Sequence, residues 1–263
     1  MRCTTGAVLA IFSALLFSAA ARADDVAGLL DGGFAYGRAR AGGVSDSDQY
    51  TGHGALLYTL DNPGFAFQLD GSGDFYFAIP HSPAHLWSAE ASAFWRDAKG
   101  TFGVSGSYFS VDAPAAPIFR LAKSIESYGF FGEYYVFKDL TLQIRGGGTT
   151  GEFGLASYDG AGGLTYYDSP DLAFHTEYNF TAFTSGHDWT DVNSSVEYLP
   201  FSRTPVSLYA GYDYTNVSHG GDLSTLFVGV KYRFGAARAL SDYQRSGPIE
   251  WTGSARPGAN LKF

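Results

Sequence analysis

The sequence is poor in cysteine, methionine and charge, and each shortage argues against a class of protein. The single cysteine, Cys3, and the single methionine, Met1, both stand at the start of 263 residues, so a disulfide framework is excluded. Charged residues make up 16% of the chain, against about 25% in a typical soluble domain. After the first two dozen residues, no apolar run reaches the roughly 18 positions that a membrane helix needs. The composition therefore also argues against a helical membrane protein.

Aromatic residues and glycine are abundant instead. Aromatic residues make up 17% of the chain, glycine contributes 34 residues, and the formal net charge is -9. A disordered chain would be poor in aromatic residues, so this composition predicts a folded, β-rich protein. A strongly acidic chain is also a poor candidate for nucleic-acid binding, and no nucleic-acid partner is expected.

Residues 1–23 have the pattern of a secretory signal peptide. Arg2 supplies the positive start, Ala7–Phe17 is apolar, and Ala21–Ala23 has the small-x-small form of a cleavage site. The alternative is an N-terminal membrane anchor, for which the apolar run is short. Cleavage after Ala23 would leave a mature chain without a thiol.

The remainder of the chain alternates between apolar and polar residues with a period of two, which is typical of β-strands. Tight-turn sequences such as Asp61–Gly64 and Ser169–Asp171 alternate with longer, more polar breaks. The breaks divide the chain, from about Leu30 to Phe234, into about 12 segments of roughly 10–14 residues, the length of membrane-spanning strands. An even number of strands places both ends of the sheet on one side, which should be the periplasmic side because its turns are short.

The two faces of each segment differ in chemistry. In Leu172–Thr184, for example, Phe174 and Tyr178 share one face, and Glu177 and Asn179 share the other. A soluble β-sandwich also alternates, but its polar face meets bulk water and is rich in Lys and Glu. Here the polar faces carry mainly Ser, Thr, Gly and Asn with isolated charges. The pattern favours an all-β, closed, antiparallel up-and-down transmembrane β-barrel, and a soluble exported β-sandwich is the alternative.

Two tryptophans fit the dimensions of a membrane. Trp87 and Trp95 lie eight residues apart on one strand, and therefore on one face. In a tilted strand they are separated by roughly 21 Å along the barrel axis. Aromatic girdles edge an apolar band about 25 Å tall in transmembrane barrels, so these two residues are predicted to lie at the membrane interfaces.

The segment Phe227–Phe234 contains a glycine, Gly229, an aromatic residue three positions later, Tyr232, and a final aromatic residue, Phe234. It resembles the closing-strand signal that the barrel-assembly machinery reads in bacterial outer-membrane β-barrels, which are porin-like in the broad sense. Together with the signal peptide and the strand meander, the resemblance covers nearly all of the mature chain. It implies the outer membrane of a Gram-negative bacterium as the location, and membrane lipid and the assembly machinery as partners. The family's signal begins with a polar residue, where this chain has Phe227.

A second departure from the family is the segment Gly235–Phe263, because the family usually ends at the final aromatic residue. Pro248 and Pro257 and the weak alternation argue against a further strand. This tail is therefore predicted to be a periplasmic extension, which could make contacts there. The expected organisation is a signal peptide over residues 1–23, a transmembrane β-barrel over 24–234 and a C-terminal periplasmic extension over 235–263.

The polar faces of the segments predict the residues that line the lumen. The first segment is ambiguous, because Phe34, Tyr36, Arg38 and Arg40 share one face. Acidic residues outnumber basic ones among the predicted set, and an acidic water-filled lumen favours cations. The predicted pore-lining residues are Asp70, Asp74, Glu90, Arg96, Glu133, Arg145, Asp159, Glu177, Asp191, Glu197, Asp213, Lys231 and Arg233.

The resemblance implies a channel for passive diffusion of small polar solutes, with a mild cation preference. The alternative is a closed structural or anchoring barrel, because lumenal charges can pair with one another and close the passage. A barrel hydrolase is a third reading, but no Ser and His stand at a spacing that would predict a nucleophilic pair. Its candidate histidines are His81, His85, His187 and His219. The histidines are scattered and no metal-ligand spacing occurs, so no enzyme, cofactor or metal site is expected.

Overall fold

A computed structural model describes residues 26–40, 47–62, 64–76, 84–112, 124–151, 156–186, 188–200, 204–218, 221–235 and 239–250. The predicted signal peptide lies outside these residues. Among the described residues, no helix is long and apolar enough to cross a membrane.

Twelve strands and one short helix follow one another along the chain. The strands are β1 (Val26–Arg40), β2 (Ser47–Asn62), β3 (Phe65–Tyr76), β4 (Ala84–Arg96), β5 (Gly100–Asp112), β6 (Ser124–Phe137), β7 (Leu140–Gly151), β8 (Ala156–Ser169), β9 (Leu172–Phe183), β10 (Asp188–Tyr198), β11 (Val206–Val217) and β12 (Gly221–Phe234). The helix is α1 (Leu240–Ser246).

Each strand pairs antiparallel with its neighbours in the chain, and β1 also pairs with β12, so the sheet closes on itself. The closing register runs from Gly28 opposite Phe234 to Arg40 opposite Asp222. Closure gives every strand a hydrogen-bonding partner on both sides, which hydrocarbon cannot supply. The predicted closed, antiparallel 12-strand barrel is confirmed.

The outer face of the barrel is apolar and the inner face is polar. Outward-facing Phe34 is 72% exposed and Val228 is 56% exposed, whereas Thr59, Gln68 and Asn193 are buried inside. A soluble sandwich would instead bury its apolar face between two sheets. The sandwich alternative is therefore wrong, and the apolar side chains form the lipid-facing surface of a transmembrane barrel.

The aromatic residues at the two ends of β4 face outward, as the sequence predicts. Trp87 is 49% exposed and Trp95 is 63% exposed. The ring of Trp95 lies 4.7 Å from that of Phe65, and the ring of Trp87 lies 5.4 Å from that of Tyr108. Both positions suit interfacial girdles, and the anchoring role remains a prediction.

The structure resolves the ambiguous parity of the first strand. Leu29 and Asp31 face inward, and Leu29 is 2% exposed. Phe34 and Arg38 lie on the outer face, where the Arg38 guanidinium is 3.8 Å from the Asp48 carboxylate. Arg38 and Arg40 share this parity, so neither belongs to the lumenal face.

The residues of the predicted assembly signal also make packing contacts within the barrel. Gly229 lies under the Tyr209 ring, where a Cβ would stand 2.3 Å from the ring. The Phe234 ring covers Gly28 across the closing seam, and Tyr232 faces outward. A Cβ at either glycine would push the ring aside, so these positions favour glycine whether or not the machinery reads the signal. That recognition remains a prediction.

Val228→Arg is expected to destabilise the barrel by about 2–4 kcal/mol, because the side chain faces hydrocarbon near the middle of β12. Leu208→Arg, which also faces outward but lies near the short-turn edge of β11, should cost only about 0–1 kcal/mol. Urea unfolding in lipid vesicles measures both. Equal losses of stability in the two variants would show that the cost of a charge on the outer face does not depend on its depth in the membrane.

Candidate functional site

The side chains that the sequence predicts for the lumen do face inward, and they fall into three groups along the barrel axis. The first group lies towards the long loops, the second near the middle and the third near the short turns. In that order the groups are Asp74, Asp159, Asp191 and Asp213; Asp70, Glu90, Arg145 and Glu177; and Arg96, Glu133, Glu197, Lys231 and Arg233. Whether they line a conducting path remains a prediction.

The group near the long loops is acidic. Asp191 accepts hydrogen bonds from Asn179 Nδ2 at 3.0 Å and from Thr215 Oγ1 at 2.9 Å. Asn193 Nδ2 donates to Asp213 at 3.3 Å. These donors are neutral amides and hydroxyls, so these hydrogen bonds fix the carboxylates without cancelling their charge.

Near the middle, a histidine that sequence reasoning missed joins the lumenal acids. His53 Nδ1 lies 2.7 Å from Asp74 Oδ1, and its Nε2 lies 3.9 Å from Asp31. Tyr209 donates its hydroxyl hydrogen to Asp31 at 2.8 Å. The signal that could have found Asp31 was the inward parity of β1, which the sequence left ambiguous.

The same level of the lumen holds pairs of opposite and of like charge. Arg145 Nη2 donates to Asn179 Oδ1 at 2.7 Å and lies 3.7 Å from Glu177 Oε1. Asp70 and Glu90 stand directly opposite each other on β3 and β4. Gln68 Nε2 donates to both Asp70 oxygens at 3.0 Å.

Near the short turns, two buried charges and two half-buried ones form what we call the mouth cluster: Glu197 and Arg233 are buried, and Lys231 and Glu250 are half-buried. Arg233 Nη1 lies 2.6 Å from Glu197, and Arg233 Nη2 lies 2.7 Å from Glu250. Lys231 Nζ lies 3.2 Å from Glu197 and 2.7 Å from Glu250. Ser207 donates its hydroxyl to Glu197. Two cations thus meet two carboxylates in a place where a single unpaired charge would be costly.

Glu250 reaches the mouth cluster because the chain after β12 folds back into the barrel. We call residues 239–250 the tail segment. Its helix α1 lies across the short turns, where the Leu240 N–H donates to the Pro170 carbonyl at 2.9 Å. The Arg245 guanidinium donates to the Phe137 carbonyl at 2.6 Å. Leu240 packs in a buried cluster with Tyr167, Ala173 and Leu199.

Beyond the helix, the tail segment enters the lumen as extended chain. Gln68 recognises the backbone of Ile249 on both sides: its Oε1 accepts from the Ile249 N–H at 2.7 Å, and its Nε2 donates to the Ile249 carbonyl at 3.0 Å. Arg96 Nη2 donates to the Gly247 carbonyl at 2.8 Å. The Ile249 side chain is 1% exposed. It packs in an apolar cluster with three wall residues, Ala66, Phe94 and Phe131.

The sequence predicts residues 235–263 as a periplasmic extension, and the structure gives the tail segment a docked position at the short-turn end. Residues 251–263 lie outside the described residues, and the side of the membrane remains a prediction. Sequence reasoning missed Glu250 and Gln68 as partners because they are separated by a long stretch of chain and no local pattern joins them.

Two small cavities adjoin Glu250. One, of about 30 Å³, is lined among others by Asp31, Asp70, Glu90 and Lys231. The other, of about 20 Å³, is lined by His175, Gln244 and members of the mouth cluster. Cavities of this size hold about one water molecule, so each of these two spaces beside Glu250 is no larger than a single water.

Two further described histidines contact neighbouring side chains. His85 is exposed on the outer face and contacts Phe75 with a ring separation of 5.3 Å. His175 Nε2 lies 3.7 Å from Glu197, and its Nδ1 lies 2.9 Å from Thr165 Oγ1. Within the described part of the chain, no group of three or more His, Cys, Asp or Glu residues could hold a metal ion. The predicted candidates His81, His187 and His219 lie outside the described residues.

The docking of Glu250 has a pH dependence whose sign follows from its surroundings. Burial by itself raises the pKa of Glu250, but Arg233 and Lys231 outweigh burial and hold this pKa below its ordinary value. Glu197 on β10 also faces it, with His175 behind Glu197 on β9. The charged form therefore favours docking. This contribution is full above the ordinary glutamate pKa of about 4.3 and is lost as the pH falls through the lowered value.

We therefore expect the backbone N–H of Ile249 to lose protection from hydrogen exchange as the pH falls from 7 to below the lowered pKa of Glu250, after correction for intrinsic exchange rates. The N–H of Tyr167, which donates to Asp139 within the barrel wall at 2.8 Å, serves as the control and should stay protected. Protection of Ile249 that is unchanged at the lower pH would contradict a charge-dependent docking.

Comparison with family models and with curated proteins gave no match. Among solved structures, the chain is similar to the COG4313 outer membrane channel from Pseudomonas putida F1. The identity is 11%, the alignment covers 80% of this chain and 95% of that one, and the TM-score is 0.61. It is also similar to the NanC porin, with 14% identity, 77% and 98% coverage and a TM-score of 0.56.

At these identities the similarity shows the fold alone. The shared fold is that of outer-membrane β-barrels, and the apolar exterior of this chain fits it. The chain is therefore a porin-like outer-membrane barrel in architecture, as the sequence predicts.

Proposed function

We propose that this protein is an outer-membrane channel for the passive diffusion of small polar solutes, with a mild preference for cations. The observation that carries the proposal is the excess of carboxylates over basic groups on the inner face. Four aspartates gather in the half of the lumen nearest the long loops, namely Asp74, Asp159, Asp191 and Asp213. A lumen lined by fixed negative charge raises the local concentration of cations.

The lumen's polar lining supports permeation by water-soluble molecules rather than by hydrocarbons. The inner face carries many hydroxyl, amide and carboxylate groups, together with a smaller number of buried apolar side chains such as Phe94, Phe109 and Phe131. A barrel of eight strands is just filled by its own side chains, and twelve strands enclose more space. No chemical step is part of this function, and the barrel acts as a passive conduit.

The test is single-channel recording of the purified protein in planar bilayers, with the reversal potential measured under a salt gradient. We expect ion conductance and a reversal potential of the sign that indicates cation preference. Anion preference would contradict the charge assignment. A silent protein, with and without its tail segment, would contradict the channel itself.

The second candidate is a closed barrel that anchors a partner. The docked tail segment favours it, because the segment fills the short-turn end of the lumen. In that case the periplasmic contact would be made through the C-terminal tail. Lipid and the assembly machinery are expected partners under both functions.

A further inference from the structure

At the short-turn end of the lumen, wall side chains contact both the backbone and the side chains of the tail segment, as the residues of a binding site contact a ligand. Gln68 pairs with both the N–H and the carbonyl of Ile249, which is the geometry of amide recognition in an extended peptide. Arg96 donates to the carbonyl of Gly247, two residues before Ile249. Backbone recognition of this kind places an extended chain in one register.

The side chains of the occupant are recognised as well. The apolar side chain of Ile249 fills a pocket whose wall includes Phe94 and Phe131. The next residue, Glu250, meets a bidentate guanidinium from Arg233 and the ammonium of Lys231. An Arg–carboxylate pair with two parallel hydrogen bonds is among the most directional of polar contacts.

The wall and the occupant are charge-matched. Glu197 is the wall carboxylate that pairs with both Lys231 and Arg233, Asp31 adds a further attraction on Lys231, and Glu250 from the occupant forms a direct ion pair with each of the two cations. Lys231 and Arg233 therefore form a site on the wall that binds a carboxylate of the occupant.

We propose that the short-turn end of the lumen is a peptide-binding site, that its ligand is the chain's own segment 247–250, and that this segment closes the passage when it is docked. The closing effect rests on the proposed channel function, whereas the binding site does not. The helix that carries the segment is seven residues long. A helix this short is marginal on its own, so docking is what holds the tail segment in place.

In this proposal, segment 247–250 closes the passage reversibly. Hydrogen bonds, two ion pairs and the buried side chains of Pro248 and Ile249 hold it against the wall, and no covalent bond fixes it there. Loss of the Glu250 charge should shift the equilibrium towards the undocked form by roughly tenfold, since hydrogen bonds to charged groups are strong contributors.

The binding part is tested in the full-length protein with a cysteine pair. The chain has a single cysteine at position 3, so Cys3→Ser gives a background in which Ala66→Cys and Ile249→Cys form the only possible disulfide. These two residues share one buried cluster. We expect the disulfide to form in the membrane under mild oxidant. Failure of this pair to form it, in a protein that keeps its heat-modifiable migration, would overturn the docked position.

The closing part is tested by conductance. We expect truncation after Gly235 to give a steadily open channel, and the oxidised cysteine pair to give a closed one that dithiothreitol reopens. Glu250→Gln should raise the open fraction of the full-length channel by roughly tenfold. Asp242→Asn is the matched control, because it removes a carboxylate charge from an exposed position on helix α1 of the same tail segment, and it should have no effect.

The isolated ligand provides the last test. A synthetic peptide of residues 239–250 should block the truncated channel from the short-turn side, and the same peptide with Glu250→Gln should block it at least tenfold less well. If the truncated and full-length proteins conduct equally, the proposed closure by segment 247–250 is wrong, and the proposed channel function is supported. If the disulfide forms but neither protein conducts, the channel and the closing effect are overturned, while the binding site is supported.

Discussion

Arg233→Met is expected to lower the free energy of unfolding by about 3–5 kcal/mol, the range for removing one partner from a buried ion pair. Its guanidinium contacts both Glu197 and Glu250 and is buried by the barrel wall. The substitution leaves two carboxylates to share Lys231. Urea unfolding in lipid vesicles, followed by tryptophan fluorescence, measures the loss.

The double variant Arg233→Met with Glu250→Met is the matched control. It restores the charge balance, because Lys231 and Glu197 remain as a pair 3.2 Å apart. Replacing a buried ion pair by apolar groups of similar volume is often neutral, so most of the lost stability should return. If the single and double variants unfold with the same free energy, charge imbalance is not the cause of the loss.

Asp74→Asn combined with Asp159→Asn is expected to weaken the cation preference, moving the permeability ratio of cation to anion towards one, because two of the four aspartates in this half of the lumen lose their charge. Both side chains face the lumen in the half nearest the long loops, and each substitution removes a charge while keeping the shape of the side chain. The measurement is the reversal potential under a salt gradient, made in the tail-truncated protein so that the passage is open.

Glu126→Gln is the control for this pair of substitutions. Glu126 lies on the exposed outer face near the same end of the barrel, so its charge is shielded from the lumen by the barrel wall and should leave the reversal potential unchanged. An equal shift from Glu126→Gln would assign the selectivity to surface charge at the rim instead of to the lumenal aspartates.

The architecture could be predicted because the features that define a transmembrane barrel, which are strand alternation and turn composition, are visible in short windows of the sequence. Each strand alternates with a period of two, and each tight turn carries Pro, Gly, Asn or Asp, so strand number, order and facing follow from short windows. Trp87 and Asp191 illustrate this, since both face the side that their segment predicts. The first strand was the exception, because polar and aromatic residues share its outer face near the long-loop end, as Tyr36 and Arg38 do.

The candidate site could be predicted only in part. Parity assigned Glu197, Lys231 and Arg233 to the lumen, but it could not pair them, because pairing depends on the register between strands. The Gln68–Ile249 contact joins β3 to the tail segment across 181 positions. No periodicity or motif encodes a contact at that separation.

The sequence by itself determined which side of each strand meets lipid, because alternation is a property of neighbouring residues and needs no long-range information. Tertiary structure alone decided what occupies the short-turn end of the barrel. Glu250 lies in a stretch of the tail that has the sequence of an irregular extension. It becomes the fourth member of the mouth cluster only when the pairing of β10, β11 and β12 brings the three wall charges together and the tail folds back onto them. The physical reason is that buried charges need partners, and the partner available here lies at the far end of the folded chain.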